Sequence, residues 1–454
     1  MAKNNKTSFF CKECGYESSK WLGQCPSCKQ WDTFVVGDMS IDSDLGINFS
    51  TNEEYTPKAL AQIQTNKEDK MTTGFKEFDE VLGGGIIKGS LILLGGSPGI
   101  GKSTLLLQLC SNMGKNGKKI LYVSGEESLK QIKLRADRIG KFSDNIEFIA
   151  TNNIQIIKNV LLKNEKYDLL IIDSIQTMSM GHDDSLPGSI KEVRETSQFF
   201  FKLSKELEVA TFLVGHITKE GLVAGPKILE HMVDTVLYFE DDNIKNLRLI
   251  RCKKNRFGSS NALAVFEMGE KGLESVSNPS EIFLQGKPSN ASGCTITCIL
   301  DGNRPILLEI QALVTKTSFG NPRRNVNGSD YNRLNLLIAI IEKRLGLPLY
   351  EYDIFVNITG GMRVNEPSLD LPIIVSILSS YKNQATDTES IYCGEVGLSG
   401  EVRAIDSINI RINEAMKLGY KKIFIPKANL EKIDKKLLSN YNNIEIKPVT
   451  NIIN

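Results

Sequence analysis

Ten residues constrain this chain more than any others: Gly95-Gly96-Ser97-Pro98-Gly99-Ile100-Gly101-Lys102-Ser103-Thr104, directly after the apolar run Leu91-Ile92-Leu93-Leu94. A buried strand that leads into a glycine-rich turn and then into the helix-like Ser103–Cys110 lets backbone N–H groups converge on an anion. The pattern predicts a phosphate loop made by Gly96, Ser97, Pro98, Gly99, Ile100, Gly101, Lys102, Ser103 and Thr104. In such a loop Lys102 reaches the β and γ oxygens and the Ser103 hydroxyl ligates Mg²⁺. Binding and hydrolysis of ATP is the chemistry to expect.

A phosphate loop does not hydrolyse ATP alone; it needs a metal-orienting carboxylate and a group that positions water. Leu169-Leu170-Ile171-Ile172 ends in Asp173, which the reading places facing Mg²⁺ at a strand's C-terminal edge, with a plain helix cap as the alternative. After Lys119–Val123 come Glu126 and Glu127, and Glu126 is expected to activate the attacking water, with Glu127 as fallback. His216, at the end of Ala210–Val214, reads either as a sensor of the γ-phosphate or as a structural histidine. Lys253, Lys254 and Arg256 crowd one turn, which is either a solvated basic loop or a finger reaching a neighbouring subunit's ATP.

At 454 residues the chain is too long for one core and calls for two or three domains. Beyond Thr72, apolar runs alternate with helical stretches, the signature of a largely parallel α/β sheet. Expected strands are Leu91–Leu94, Lys119–Val123, Asp168–Ile172, Ala210–Val214, Thr235–Phe239 and Leu247–Cys252, and Ser189 with Glu192 fits a capping box. Cys11, Cys14, Cys25 and Cys28 form two Cys-x-x-Cys knuckles separated by ten residues, the spacing with which thiolates enclose Zn²⁺. Trp21 and Trp31 are expected to cover that metal core. The dispersed Cys110, Cys252, Cys294, Cys298 and Cys393 read as small buried hydrophobes. Lys and Arg number 55 against 54 Asp and Glu, so nucleic acid would have to meet local basic patches and not a field of the whole molecule. With no signal-like N-terminus and no long apolar run, a soluble cytoplasmic protein without membrane contact is expected.

The cysteine tetrad, the stretch Thr73-Gly74 through Leu82-Gly83-Gly84-Gly85, the phosphate loop and Lys254-Asn255-Arg256-Phe257-Gly258 together resemble the bacterial RadA family, also called Sms. The resemblance covers essentially the whole chain. It implies a zinc ribbon over 1–36, a flexible linker over 37–70, a RecA-like ATPase domain over 71–278 and an α+β Lon-protease-like domain over 279–454. It further implies a ring-forming, helicase-like, DNA-stimulated ATPase, of hexameric type. This would act on single-stranded and branched DNA and extend heteroduplex made by the RecA recombinase. Lys254 and Arg256 become candidates for ATP turnover in trans and for its coupling to DNA. Lys316, Arg323 and Arg324, with Arg333 nearby, are further DNA candidates, because cations beside glycines can track a phosphate backbone. A solvated loop is the plainer reading of that run.

In the Lon-like tail Ser368 stands at the nucleophile's place, whereas counting from Gly394-Glu395 puts Asn409 where the activating lysine belongs. The nearby Arg411 stays protonated and cannot serve as a base, so peptide cleavage is not expected. An ATP-dependent serine protease and a nucleotide-switched interaction module are the competing readings.

Overall fold

The computed structural model describes residues 8–11, 17–18, 20–26, 29–37, 70–163, 166–181, 188–216, 228–242, 247–287, 290–318, 320–359, 363–433 and 444–453. The chain divides into two compact units, one made by Met1–Glu240, Leu249–Ser260 and Met268–Ser275, the other by Asp241–Arg248, Asn261–Glu267 and Val276–Asn454.

The first unit begins with a small antiparallel sheet in which Ser8–Cys11 lies between Glu17–Ser18 and Phe34–Gly37. Cys11 and Cys25 are fully buried there, packed with Phe34, Phe9 and Leu22. A tight knuckle closes over Cys25, whose N–H donates to Gln30 O at 2.9 Å while its carbonyl accepts from Lys29 N at 2.8 Å. The tryptophans depart from expectation. Trp21 and Trp31 are 52% and 70% exposed, so the apolar cover comes from the phenylalanines and Leu22 instead.

The larger sheet of this unit has a run of six parallel strands in the order Thr235–Asp242, Leu91–Gly96, Ala210–His216, Leu169–Asp173, Ile120–Ser124 and Ile146–Ala150. Leu91–Gly96, Ile120–Ser124 and Leu169–Asp173 are buried at every residue, which is why their sequences read as unbroken apolar runs with no alternation. Parallel pairing aligns their C-terminal ends: His216 sits opposite Gly96, and Ser124 opposite Asp173. All chemistry expected of the loop, the carboxylates and the histidine is thereby gathered at one edge. Helix Ile190–Leu207 starts at Ser189, whose side chain accepts from Glu192 N, while the Glu192 carboxylate itself accepts from Met180 N at 2.6 Å. A reciprocal capping box instead opens helix Leu129–Ile139, between Ser128 and Gln131.

The second unit is built on a seven-stranded mixed sheet in the order Arg324–Asn327, Tyr352–Ile358, Arg304–Lys316, Cys294–Asp301, Ser390–Tyr392, Lys422–Pro426 and Glu445–Val449. Helix Asp370–Lys382 packs against the two long antiparallel strands at its centre. Ile408, Ile412 and Ala415 of helix Ile408–Lys417 join Ile296, Cys298 and Leu307 in one apolar cluster. Leu334, Leu337, Ile338 and Ile341 are buried, as their helical spacing predicts. Cys110, Cys252, Cys298 and Cys393 are buried and Cys294 is partly so; burial pushes all five thiols up.

Candidate nucleotide site

Strand Leu91–Gly96 delivers the chain into the loop, and helix Lys102–Lys115 carries it away. Gly101 holds the left-handed φ of 119° at the turn into the helix, and a side chain there would approach Met268 to 3.0 Å. Lys102 is buried and donates to Gly96 O at 2.7 Å and Ser97 O at 3.0 Å, so it lies folded onto the loop's own carbonyls. Burial lowers its amine to about 8, against the opposing pull of Asp173 and Glu126.

Asp173 ends its strand as expected and is itself buried. Its Oδ2 accepts a hydrogen bond from the Tyr122 hydroxyl at 2.6 Å, a buried partner that the sequence reading did not single out. Burial, and next the Asp173 carboxylate, drive the Tyr122 phenol well up, so it stays a donor. The peptide from Asp173 to Ser174 is cis. The Ser174 hydroxyl donates to Glu126 Oε1 at 2.5 Å, and His216 Nε2 stands 3.1 Å from the same oxygen. His216 Nδ1 lies 3.4 Å from Lys102 Nζ, so one imidazole links the loop's lysine to Glu126. Chiefly through the His216 contact, the Glu126 carboxyl is held at about 2 despite partial burial. Glu127 turns elsewhere and pairs with Arg135.

The Lys-Asn-Arg-Phe-Gly segment lies elsewhere on the unit. Lys254 Nζ donates to three carbonyls, Glu230 O at 2.8 Å, His231 O at 3.0 Å and Val233 O at 2.8 Å, closing the end of helix Ile228–Met232. Asn255 Nδ2 donates to Val81 O, and Gly258 packs so closely on Gly83 that a side chain would come within 2.7 Å of its Cα. Two motifs distant in sequence thus form one surface loop pair. The Arg256 backbone N–H donates to Asp234 O at 3.1 Å, and Nη1 lies 3.4 Å from Asp234 Oδ1. Asp234 precedes strand Thr235–Asp242, and its Oδ2 accepts from Leu91 N at 3.0 Å. Arg256 is therefore at the amino-terminal edge of the sheet, opposite the phosphate loop.

In the second unit the basic run is mostly engaged. Arg323 Nη2 and Nε both bond Asp353 Oδ2, at 2.7 and 2.9 Å; Arg324 pairs with Glu342 at 3.6 Å; Arg333 grips the buried Asp370. Lys316 is exposed. The residue beside Ser368 is not Asn409, which donates to Lys432 O, but Arg411, whose Nη1 donates to Ser368 Oγ at 3.3 Å. Arg411 also reaches Glu366, Cys298 O and Asp406 O, and both Arg411 and Ser368 are 1% exposed. A guanidinium beside a buried hydroxyl supplies no general base.

Of the expected zinc ligands, Cys11 and Cys25 are brought into one core, while Cys14 and Cys28 lie outside the described residues. Among the described residues no helix is long and apolar enough to cross a membrane.

Fold and site together define a RecA-like P-loop ATPase core with an N-terminal zinc ribbon and a C-terminal Lon-protease-like domain. Parts of the chain match the rubredoxin metal binding domain over residues 9–35, the AAA domain over 56–221 and the subunit ChlI of Mg-chelatase over 319–429. The DNA repair protein RadA of Halalkalibacterium halodurans is 48% identical over 432 residues, covering 95% of this chain and 94% of that one. Its namesakes from Bacillus subtilis and Streptococcus pyogenes serotype M1 are 45% and 46% identical, each across 95% or more of this chain and 94% or more of theirs. The chain belongs to the RadA family of DNA repair proteins.

Proposed function

We propose that the chain is a DNA-dependent ATPase of homologous recombination and repair, working in the cytoplasm as a hexameric, helicase-like ring that drives branch migration of strand-exchange products made by RecA. The observation that carries this reading is the two-ended sheet. Strand Leu91–Gly96 spans about 16 Å at ~3.3 Å per residue, which separates Arg256 from its own chain's phosphate loop. An arginine so placed serves a nucleotide only when that nucleotide belongs to the next subunit, as the head-to-tail contacts of a ring provide.

In this reading Gly96 through Thr104 hold the phosphates, and Lys102 unfolds from its carbonyls onto the β and γ oxygens. The hard oxygens of Ser103 and Asp173 suit Mg²⁺, which would supply charge neutralisation at the γ-phosphate, and Tyr122 keeps the Asp173 carboxylate aimed. Glu126, fully anionic, orients the attacking water, while Arg256 stabilises the transferring phosphoryl group from the neighbour. Cys11, Cys14, Cys25 and Cys28 would hold Zn²⁺; the burial of the Cys11 and Cys25 sulfurs suits a closed thiolate site. Lys254, Arg256, Lys316, Arg323 and Arg324 are the proposed DNA contacts, with phosphates competing against Asp353 and Glu342 for the last two and against the three helix-end carbonyls for Lys254. We assign the ribbon to 1–36, the linker to 37–70, the ATPase to 71–278 and the Lon-like, proteolytically inactive domain to 279–454.

ATP turnover measured with and without single-stranded DNA, alongside the particle mass, tests the proposal. Stimulation by DNA in a multi-subunit particle is expected. A monomer indifferent to DNA would exclude a motor and leave a nucleotide-switched interaction module.

A further inference from the structure

Asp234 is almost fully buried, yet four donor groups from three residues in different parts of the unit converge on it. Oδ2 takes Leu91 N at 3.0 Å and Lys205 Nζ at 2.9 Å; Oδ1 faces Arg256 Nη1 at 3.4 Å; the backbone carbonyl takes Arg256 N at 3.1 Å. The carboxylate faces two cations of unequal standing. Lys205 sits at hydrogen-bond distance and also over the Phe201 ring, 5.7 Å from its centroid, whereas the arginine's contact is long and its side chain is 53% exposed. Asp234 therefore fixes the base of the Arg256 side chain through the backbone and restrains one nitrogen, leaving the rest of the guanidinium towards solvent.

The other two partners run to the nucleotide edge. Leu91 is the first residue of the strand that ends in the phosphate loop. Lys205 lies in the last turn of helix Ile190–Leu207, about 27 Å long at ~1.5 Å per residue, whose first-turn Glu192 holds Met180 beyond the Asp173 strand. Both are rigid elements that begin or end at the site and meet at one carboxylate.

We infer that Asp234 is a positioning residue for the Arg256 finger: it presents the guanidinium to the neighbouring subunit's nucleotide and ties that presentation to the strand and helix bordering the chain's own site. The inference rests on the trans role proposed for Arg256. It does not make Asp234 a group that touches ATP. Asparagine at 234 keeps a carbonyl oxygen for Leu91 N but removes the charge that restrains Arg256.

The test uses full-length protein and steady-state ATP turnover with single-stranded DNA. Asp234→Asn is expected to lower kcat about tenfold with KM for ATP within about twofold, and to add nothing in an Arg256→Ala background, because the two residues act as one unit. Mixing supplies the second arm. Lys102→Ala subunits carry a dead site and a sound finger, so mixed rings with Asp234→Asn subunits should exceed the summed activity of the separate variants, as should mixtures with Arg256→Ala. Should Asp234→Asn lose its cooperative fold, Asp234→Glu replaces it, keeping the charge but displacing the guanidinium, with the same outcomes. If Arg256→Ala mixtures complement and Asp234 variants do not, or if the two substitutions multiply, the inference is overturned while the finger stands. If Arg256→Ala mixtures fail to complement, the trans reading falls and takes this inference with it.

Discussion

Lys102 and Arg256 are tied to opposite ends of one strand: Lys102 caps the loop that follows Gly96, while Arg256 pairs with the carboxylate that accepts the N–H of Leu91. No motion within a rigid parallel sheet brings them together. Any account of turnover in which both act on one nucleotide therefore needs two copies of the chain.

Substituting the lysine isolates the near end. On the role proposed for Lys102 at the β and γ oxygens, Lys102→Ala is expected to lower affinity roughly 10- to 100-fold and to reduce hydrolysis to background. Titration with a fluorescent ATP analogue and phosphate release measure the two effects; undiminished phosphate release contradicts the loop's assignment.

The far end behaves differently. Arg256→Ala is expected to leave ATP affinity within about twofold and to lower kcat by roughly 10³, the usual effect of losing an arginine finger. An equal loss of affinity in both variants argues that Arg256 supports the fold of the site and not the transition state.

Acidity gives a third handle. Burial lowers the Lys102 amine to about 8, and phosphates bind its protonated form, so nucleotide binding must take up a proton once the solution is more alkaline than that. Affinity for ATP is expected to hold steady below about pH 7 and to fall by up to tenfold per pH unit above about 8. Binding by calorimetry in buffers of differing ionisation enthalpy counts the proton; a flat profile to about pH 10 would falsify the burial argument.

The Lon-like domain predicts an asymmetry. Ser368→Ala removes a hydroxyl with a long contact and is expected to shift stability by less than about 1.5 kcal/mol and leave ATP turnover intact. Arg411→Ala leaves Glu366 without its buried partner and is expected to cost about 3–5 kcal/mol. Thermal melts check both, and any peptide hydrolysis abolished by the serine substitution contradicts the inactive assignment.

Chelation separates the first module from the rest. Trp21 and Trp31 are the only tryptophans, so removing Zn²⁺ should change tryptophan emission as the ribbon unfolds while basal ATP turnover persists. Loss of both signals together points to a ribbon that supports the ATPase core.

The strands that carry the nucleotide site were legible because burial on both faces leaves an apolar run with no alternation, and each run ends in the polar residues that a parallel sheet exposes at one edge. Ile146–Ala150, at the sheet's margin and only partly buried, has a mixed pattern and was missed. Partnerships across the fold left no local trace: Tyr122 looks like any strand aromatic, and Asp234 like a residue before a strand, until hydrogen bonds across the folded sheet join them to Asp173 and Leu91. Glu126 and Glu127 are indistinguishable in sequence, and the structure separates them through Arg135. Counting along the chain failed at Asn409 because a helix advances about 100° per residue, so a shift of two positions points to another face.

Arg411 also bears on how such a domain could change. Its guanidinium satisfies a carboxylate, two main-chain oxygens and the serine at once, so a lysine, with three donors and no planar fork, could not inherit that set of contacts. Placing a basic amine at this spot would mean dismantling the staple that closes the interior. Peptide hydrolysis from Ser368 would thus demand a differently built interior around it.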